Sequence, residues 1–246
     1  TLLFDNTLNL KNIPKLDDIK NMSKLLRSYG ATIKTSKDNL EINCQKIINK
    51  DTDYDIVRKM RASILILGPL LARFGEVKIS LPGGCAIGTR PIDIHLEGLQ
   101  KLGANFVVEN GYVIGRVKEQ LMGSHIPLPF PSVGATENIM MAATITKGKT
   151  IIENAALEPE ISDLARSLNK MGAKIKIEKN GIIKIEGVKK LTKANHKIMS
   201  DRIVAGTFVI AAVMLNKNFE VQEVESSHLE ALTSSLKEMG AKLKIK

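Results

Sequence analysis

"LNKMGAKIKI", Leu168–Ile177, decides the fold, because four segments of the chain share its pattern. The other copies are "LLRSYGATIK" at 25–34, "LQKLGANFVV" at 99–108 and "LKEMGAKLKI" at 236–245. Their glycines, Gly30, Gly103, Gly172 and Gly240, recur at roughly 70-residue intervals, the mark of an internal structural repeat. Before each glycine the apolar residues keep a helical period. In the second copy Ile92, Leu96, Leu99 and Leu102 share one face. The glycine suits the left-handed residue that ends a helix. Alternation then takes over, as in Lys174-Ile175-Lys176-Ile177. Asn110-Gly111 and Asn180-Gly181 each turn the chain back into a second strand, "YVIGRV" (112–117) or "IIKIEGV" (182–188).

A second helix type recurs upstream: "RKMRASILILGPLLARFG" (58–75), "SVGATENIMMAATITKG" (132–148) and "DRIVAGTFVIAAVMLNK" (201–217). These segments are apolar and rich in small residues, so burial is expected. A strand is expected after each, in "EVKISLPGG" (76–84), "KTIIENAA" (149–156) and "FEVQEVES" (219–226). One unit therefore reads helix, strand, helix, strand, turn, strand, with a further strand leading in. The first unit starts at its middle strand, "TLLFDNTLNL" (1–10), and the fourth stops at "AKLKIK" (241–246). Two whole repeats and two broken ones are the content expected of the middle of a longer protein.

Composition narrows the classes. The chain has 246 residues, 43% hydrophobic and 25% charged, which is ample for a packed core and unlike a disordered sequence. A net charge of +10 favours acidic partners or is simply a lysine-rich solvated surface. Aromatic content of 4% with no Trp makes base-stacking platforms for nucleic acid poor. The two cysteines, Cys44 and Cys85, form neither a disulfide framework nor a metal-ligand spacing, which suits a reducing cytoplasm. The longest apolar stretch, Ala62–Ala72, is interrupted by Pro69 and too short to span a bilayer.

Several places could carry chemistry. In "SLPGGCAIGTRPIDIH" (80–95) the glycines free backbone amides to approach an anion, and Arg90-Pro91 opens a helix. Cys85 then sits near an electropositive site that would lower a thiol pKa, or it is a small buried cysteine in a tight turn. In "PFPSVGATEN" (129–138) Ser132, Val133 and Gly134 precede a helix and either present amides to a phosphate or form an ordinary serine cap. Arg61 could hold a phosphate through two N–H groups or form a surface ion pair. Asp201 and Arg202 read as a cap plus an ion pair, or the wall of a site. Of the four histidines, His95 could share the Arg90 site. His125, His196 and His228 read as exposed or capping, and Cys44 as structural.

"LPGGCAIGTRPIDIHLEGLQKLGA" resembles the catalytic loop of the UDP-N-acetylglucosamine enolpyruvyl transferases, or 1-carboxyvinyltransferases. "MRASILILGPLLARFG", "FPSVGATENIMMAAT", "IIENAALEPEISDLARSLNKMGAKI" and "DRIVAGTFVIAA" resemble the same family in the same order. The resemblance implies an α/β fold of inverse α/β repeats. Residues 1–199 would form a nearly complete first domain lacking its N-terminal helix, and 200–246 the start of a second. It implies transfer of an enolpyruvyl group from phosphoenolpyruvate to UDP-N-acetylglucosamine in peptidoglycan synthesis. The expected protein is cytoplasmic and monomeric, with no metal, organic cofactor, nucleic acid or membrane partner.

By motif position, Cys85 is implied as general acid toward the phosphoenolpyruvate methylene and as a target of fosfomycin-type alkylation. Arg90 is implied to reach the phosphate. Arg61, Arg90, Pro91, Ile92, Asp93, Ile94, Phe130, Pro131, Ser132, Val133 and Gly134 are implied as substrate contacts. Phe130 stands where some relatives have Lys, and Val204 where many have Glu. The family's Lys-Asn pair falls before Thr1, and its general-base aspartate and later arginines fall beyond Lys246. The chain alone is therefore expected to be an inactive fragment. The alternatives are a non-catalytic remnant that binds UDP-sugar weakly, and a basic RNA-binding repeat protein.

Overall fold

The computed structural model describes residues 1–48, 54–57, 60–81 and 92–244. They fall into two compact units, Thr1–Lys197 and Ile198–Lys246. Among the described residues the first unit holds eleven strands: β1 (Thr7–Lys11), β2 (Thr32–Ser36), β3 (Asn39–Asn43), β4 (Glu76–Ser80), β5 (Ala104–Glu109), β6 (Tyr112–Val117), β7 (His125–Pro127), β8 (Lys149–Glu153), β9 (Lys174–Ile177), β10 (Ile183–Glu186) and β11 (Ala194–Lys197). Its helices are α1 (Asp17–Ser28), α2 (Tyr54–Val57), α3 (Leu67–Phe74), α4 (Asp93–Lys101), α5 (Val133–Ala143) and α6 (Pro159–Lys170). The second unit contains α7 (Arg202–Met214) and α8 (Glu230–Glu238).

The repeat appears as three small sheets of one design. In each, a strand, a helix and a hairpin follow in order, and the strand after the hairpin turn takes the centre: β1-β3-β2, β4-β6-β5 and β8-β10-β9. The central strand is antiparallel to both neighbours. Parallel outer strands extend two of the sheets, β11 beside β1 and β7 beside β8. The pairing Leu8↔Ala194 and Leu10↔His196 ties the last strand of this unit to its first. All four repeat glycines end their helices with positive φ, between 95° and 105°, the conformation that an L side chain resists. Asn110 and Gly111, with φ of 49° and 77°, make the expected tight turn between β5 and β6.

Three local expectations are corrected. The apolar segment before β4 is not one helix. It is a 3-10 turn over Arg61–Ile66 followed by α3. Proline at position 69 has no N–H to give to residue 65, and the Asn138 side chain occupies the next bond of the ladder, as described below. The first strand begins only at Thr7. Leu2, Leu3 and Phe4 enter the core before it, and Arg73 at the end of α3 donates to the Leu2 and Phe4 carbonyls at 3.2 and 2.9 Å. Finally, neither 219–226 nor 241–244 is a strand. In each of the three sheets these positions correspond to the strands on either side of the central one, which pairs with both. Among the described residues neither segment pairs with another strand.

The core centres on α5, whose inward positions are Ala135, Thr136, Asn138, Ile139, Met140, Ala142 and Ala143. It packs against α3 and α4. Small residues permit the approach: a Cβ on Gly98 of α4 would lie 2.2 Å from Ile139 Cδ1, and one on Gly68 of α3 would lie 2.5 Å from the Asn138 carbonyl. Among the described residues no helix is long and apolar enough to cross a membrane.

Candidate functional site

Two helix starts meet at one imidazole, and a cation at the head of the 3-10 turn acts on it. His95 lies in the first turn of α4 and is 5% exposed. A Cβ added to Gly134, in the first turn of α5, would stand 3.1 Å from His95 Cε1 and 3.4 Å from Nε2. Arg61, first residue of the 3-10 turn, bears on the same ring electrostatically. Burial and then the Arg61 charge push the His95 pKa down to about 4, so the ring is neutral at physiological pH.

Asn138 holds this arrangement. Its Nδ2 is 3.1 Å from His95 Nδ1 and 3.0 Å from the Ile64 carbonyl, and its Oδ1 accepts from the Gly68 N–H at 2.7 Å. Ile64 C=O and Gly68 N–H are the pair that an uninterrupted α-helix would join to each other. The Asn138 amide is inserted between them and satisfies both. Because Oδ1 must face the Gly68 donor, Nδ2 faces His95, and Nδ1 is the acceptor. The ring therefore carries its proton on Nε2.

The Ser132 hydroxyl accepts from Ala135 N at 3.4 Å, so Ser132 is the N-cap of α5, and its carbonyl accepts from Thr136 N at 2.9 Å. Phe130 and Pro131 are exposed on the connection from β7 to α5. Asn154 anchors that connection by donating to the Leu128 carbonyl at 3.0 Å. Ile92 precedes α4, and its carbonyl accepts from His95 N and Leu96 N. Asp93 is exposed and Ile94 is buried. The structure thus brings Arg61, the first turn of α4 and the Ser132–Gly134 turn to one place. Helix starts favour anions, and Arg61 adds a cation. Cys85, Arg90 and Pro91 lie outside the described residues.

Sequence reasoning missed Asn138 and Glu137. One turn into α5, Glu137 is raised to about 7, by burial first and then by the Glu160 carboxylate. It also placed His196 wrongly among exposed or capping residues. The parallel pairing of β11 with β1, under α6, turns His196 inward, where Nε2 donates to Asp163 Oδ2 at 2.9 Å. His125 is exposed and pairs with Glu153 at 2.9 Å. Cys44 is fully buried, in keeping with a structural role. Asp201 caps α7, accepting from Ile203 N and Val204 N.

Repeated small sheets with a central returning strand define an α/β fold of the enolpyruvyl transferase type. The enolpyruvyl transferase NikO from Streptomyces tendae superposes on all of this chain with a TM-score of 0.84 at 16% identity, over 59% of its own length. EPSP synthase from Acinetobacter baumannii does so with a TM-score of 0.71 at 20% identity, over 57% of its length. The sequence match is to EPSP synthase (3-phosphoshikimate 1-carboxyvinyltransferase) across residues 1–246, and the chain belongs to that family. Among curated relatives, UDP-N-acetylglucosamine 1-carboxyvinyltransferase 1 of Caldanaerobacter subterraneus subsp. tengcongensis is 49% identical over 99% of this chain. The UDP-N-acetylglucosamine 1-carboxyvinyltransferase of Trichlorobacter lovleyi is 48% identical over 95%. The match covers 58% and 56% of those two proteins, so the chain spans little more than half their length.

Proposed function

We propose that this chain carries the sugar-nucleotide side of an enolpyruvyl transferase acting on phosphoenolpyruvate and UDP-N-acetylglucosamine, at the first committed step of peptidoglycan synthesis. The observation that carries the reading is near-50% identity, over almost the whole chain, to proteins bearing that name. The helix starts meeting at His95 support it chemically, because they gather groups suited to a diphosphate.

In the proposed reaction the sugar 3-hydroxyl gives its proton to the general-base aspartate implied by the family resemblance and attacks C2 of phosphoenolpyruvate, while the Cys85 thiol protonates C3 and becomes a thiolate. The tetrahedral adduct then returns a C3 proton to that thiolate and expels phosphate, which restores the double bond. Arg90 meets the phosphate charge. Arg61, Arg90–Ile94 and Phe130–Gly134 hold the UDP-sugar. Residues 1–199 form the first domain and 200–246 begin a second, and the working unit is a cytoplasmic monomer. The 246-residue chain by itself is proposed to be inactive, because the general base and later arginines implied by the family resemblance fall outside its sequence.

The test is phosphate release from the two substrates, by this chain and by a chimera extended with the remainder of the Caldanaerobacter relative. Turnover in the chimera alone is the expected result, abolished by Cys85→Ala and retained in part by Cys85→Asp, which can still donate a proton. A chimera that folds but neither turns over nor binds UDP-N-acetylglucosamine would defeat the reading. One that binds without turnover would favour a non-catalytic remnant.

A further inference from the structure

We propose that His95 is a positioning residue for the diphosphate of the sugar nucleotide: held in its Nε2–H tautomer by Asn138, the ring fixes the first turn of α5 relative to Arg61. The proposal rests on the sugar-nucleotide reading above and adds a residue to it.

Burying a ring with polar nitrogens is unfavourable unless they are partnered, and a core position here would be better filled by leucine or phenylalanine. The chain instead commits a fully buried asparagine to one of the two ring nitrogens. The same asparagine bridges Ile64 and Gly68, close behind Arg61, and belongs to α5, whose first turn carries the Ser132–Gly134 amides. The ring therefore contacts Asn138 and lies against the Gly134 turn, while Arg61 acts on it electrostatically. A glycine is present at 134 where any side chain would press on the imidazole within 3.1–3.4 Å. Neutrality also matters. A charged ring would repel Arg61 and the partial positive charge of the α5 start, whereas a neutral one lets both face the same anion. Nδ1 is occupied by Asn138, so the nitrogen that faces the Gly134 turn is a donor and no acceptor, which keeps the surroundings of that turn favourable to an anion.

The test uses the 246-residue chain with three probes: UDP-N-acetylglucosamine, UDP and uridine, each titrated calorimetrically. His95→Phe, which keeps the volume and removes the N–H, is expected to weaken both diphosphates about tenfold and leave uridine unchanged. His95→Gln, whose amide can stand in for Nε2–H, is expected to stay within about threefold of the parent. A purely structural role would weaken all three probes alike. Nitrogen-15 spectra of the parent should show a neutral ring protonated on Nε2, with that resonance moving when UDP is added. Equal diphosphate affinity in the parent and a folded His95→Phe chain overturns the proposal, as does an Nδ1–H ring. If His95→Phe does not fold, His95→Gln and the spectra decide. Should the unaltered chain bind neither diphosphate, the sugar-nucleotide reading itself fails, and this role fails with it.

Discussion

Asn138 shows how much one side chain can settle. Its three hydrogen bonds join the 3-10 turn, α3 and α4 to α5, and none reaches solvent. Asn138→Ala removes all three. We expect a loss of about 2–4 kcal/mol, softened if Ile64 and Gly68 re-form their own helical bond. Asn138→Asp should cost more, since a carboxylate cannot donate to Ile64 or His95 and brings a charge inside. Urea unfolding of both variants checks the ranking, and an Asp variant as stable as the parent would refute it. Next along the helix, Glu137 has a pKa raised to about 7, from 4.5. Between those values the folded state binds more protons than the unfolded state, so stability contributed by the neutral carboxyl is full below pH 4.5 and lost as pH rises through 7. Glu137→Gln should therefore raise the Tm at pH 8 but change it little at pH 4.5. Thermal melts across that range should show the two curves diverging upward in pH.

At the level of elements, the joint between β11 and α6 gives the opposite pH sign. Burial alone would raise the Asp163 carboxyl, but hydrogen bonds from His196 and Arg166, with their charges, outweigh it and hold the pKa below 3.8. The stabilisation is present above the unfolded value of 3.8 and is lost as pH falls through the lower folded value. Asp163→Asn should cost about 1–3 kcal/mol near pH 7 and remove this contribution to the acid limb, measured by unfolding between pH 2 and 7. The same joint marks what the sequence could show. Helix ends at Gly30, Gly103, Gly172 and Gly240, the Asn110-Gly111 hairpin and the order of elements from β4 to β10 were legible, because each depends on residues a few positions apart. The inward turn of His196 was not, since it depends on β11 pairing with a strand nearly the whole unit earlier in sequence. Asn138 escaped for the same reason, with Gly68 and Ile64 at 70 and 74 positions' remove. Among candidate site residues, Arg61 and the Ser132–Gly134 turn were legible as types. Their meeting at His95 was not, because only the packing of α5 against its neighbours creates it.

Across the whole molecule, three helices of one sequence type have different surroundings. α3 and α5 are buried along most of their length, whereas α7 buries only Ala205 and Gly206. Phe208 is 54% exposed, Met214 79% and Leu215 69%, with Ile203 and Val204 also open. Phe208 stacks on Phe219, at 5.9 Å between ring centres, which stiffens the patch without covering it. An apolar surface of this kind associates in water, because every contact that removes it from solvent is favourable at about 25 cal/mol per Å². The 246-residue chain should therefore self-associate reversibly as its concentration rises, a property of this exposed patch and not of the proposed working monomer. Nothing in the proposed reaction calls for a second copy, and none of the proposed substrate contacts lies on α7, so association and ligand binding should be separable. Phe208→Glu with Met214→Glu places two charges on the patch and should return the chain to monomer in sedimentation velocity, with UDP affinity unchanged. A parent chain that sediments as a monomer at every concentration, or charged variants that associate as strongly as the parent, would show that α7 is not the adhesive face.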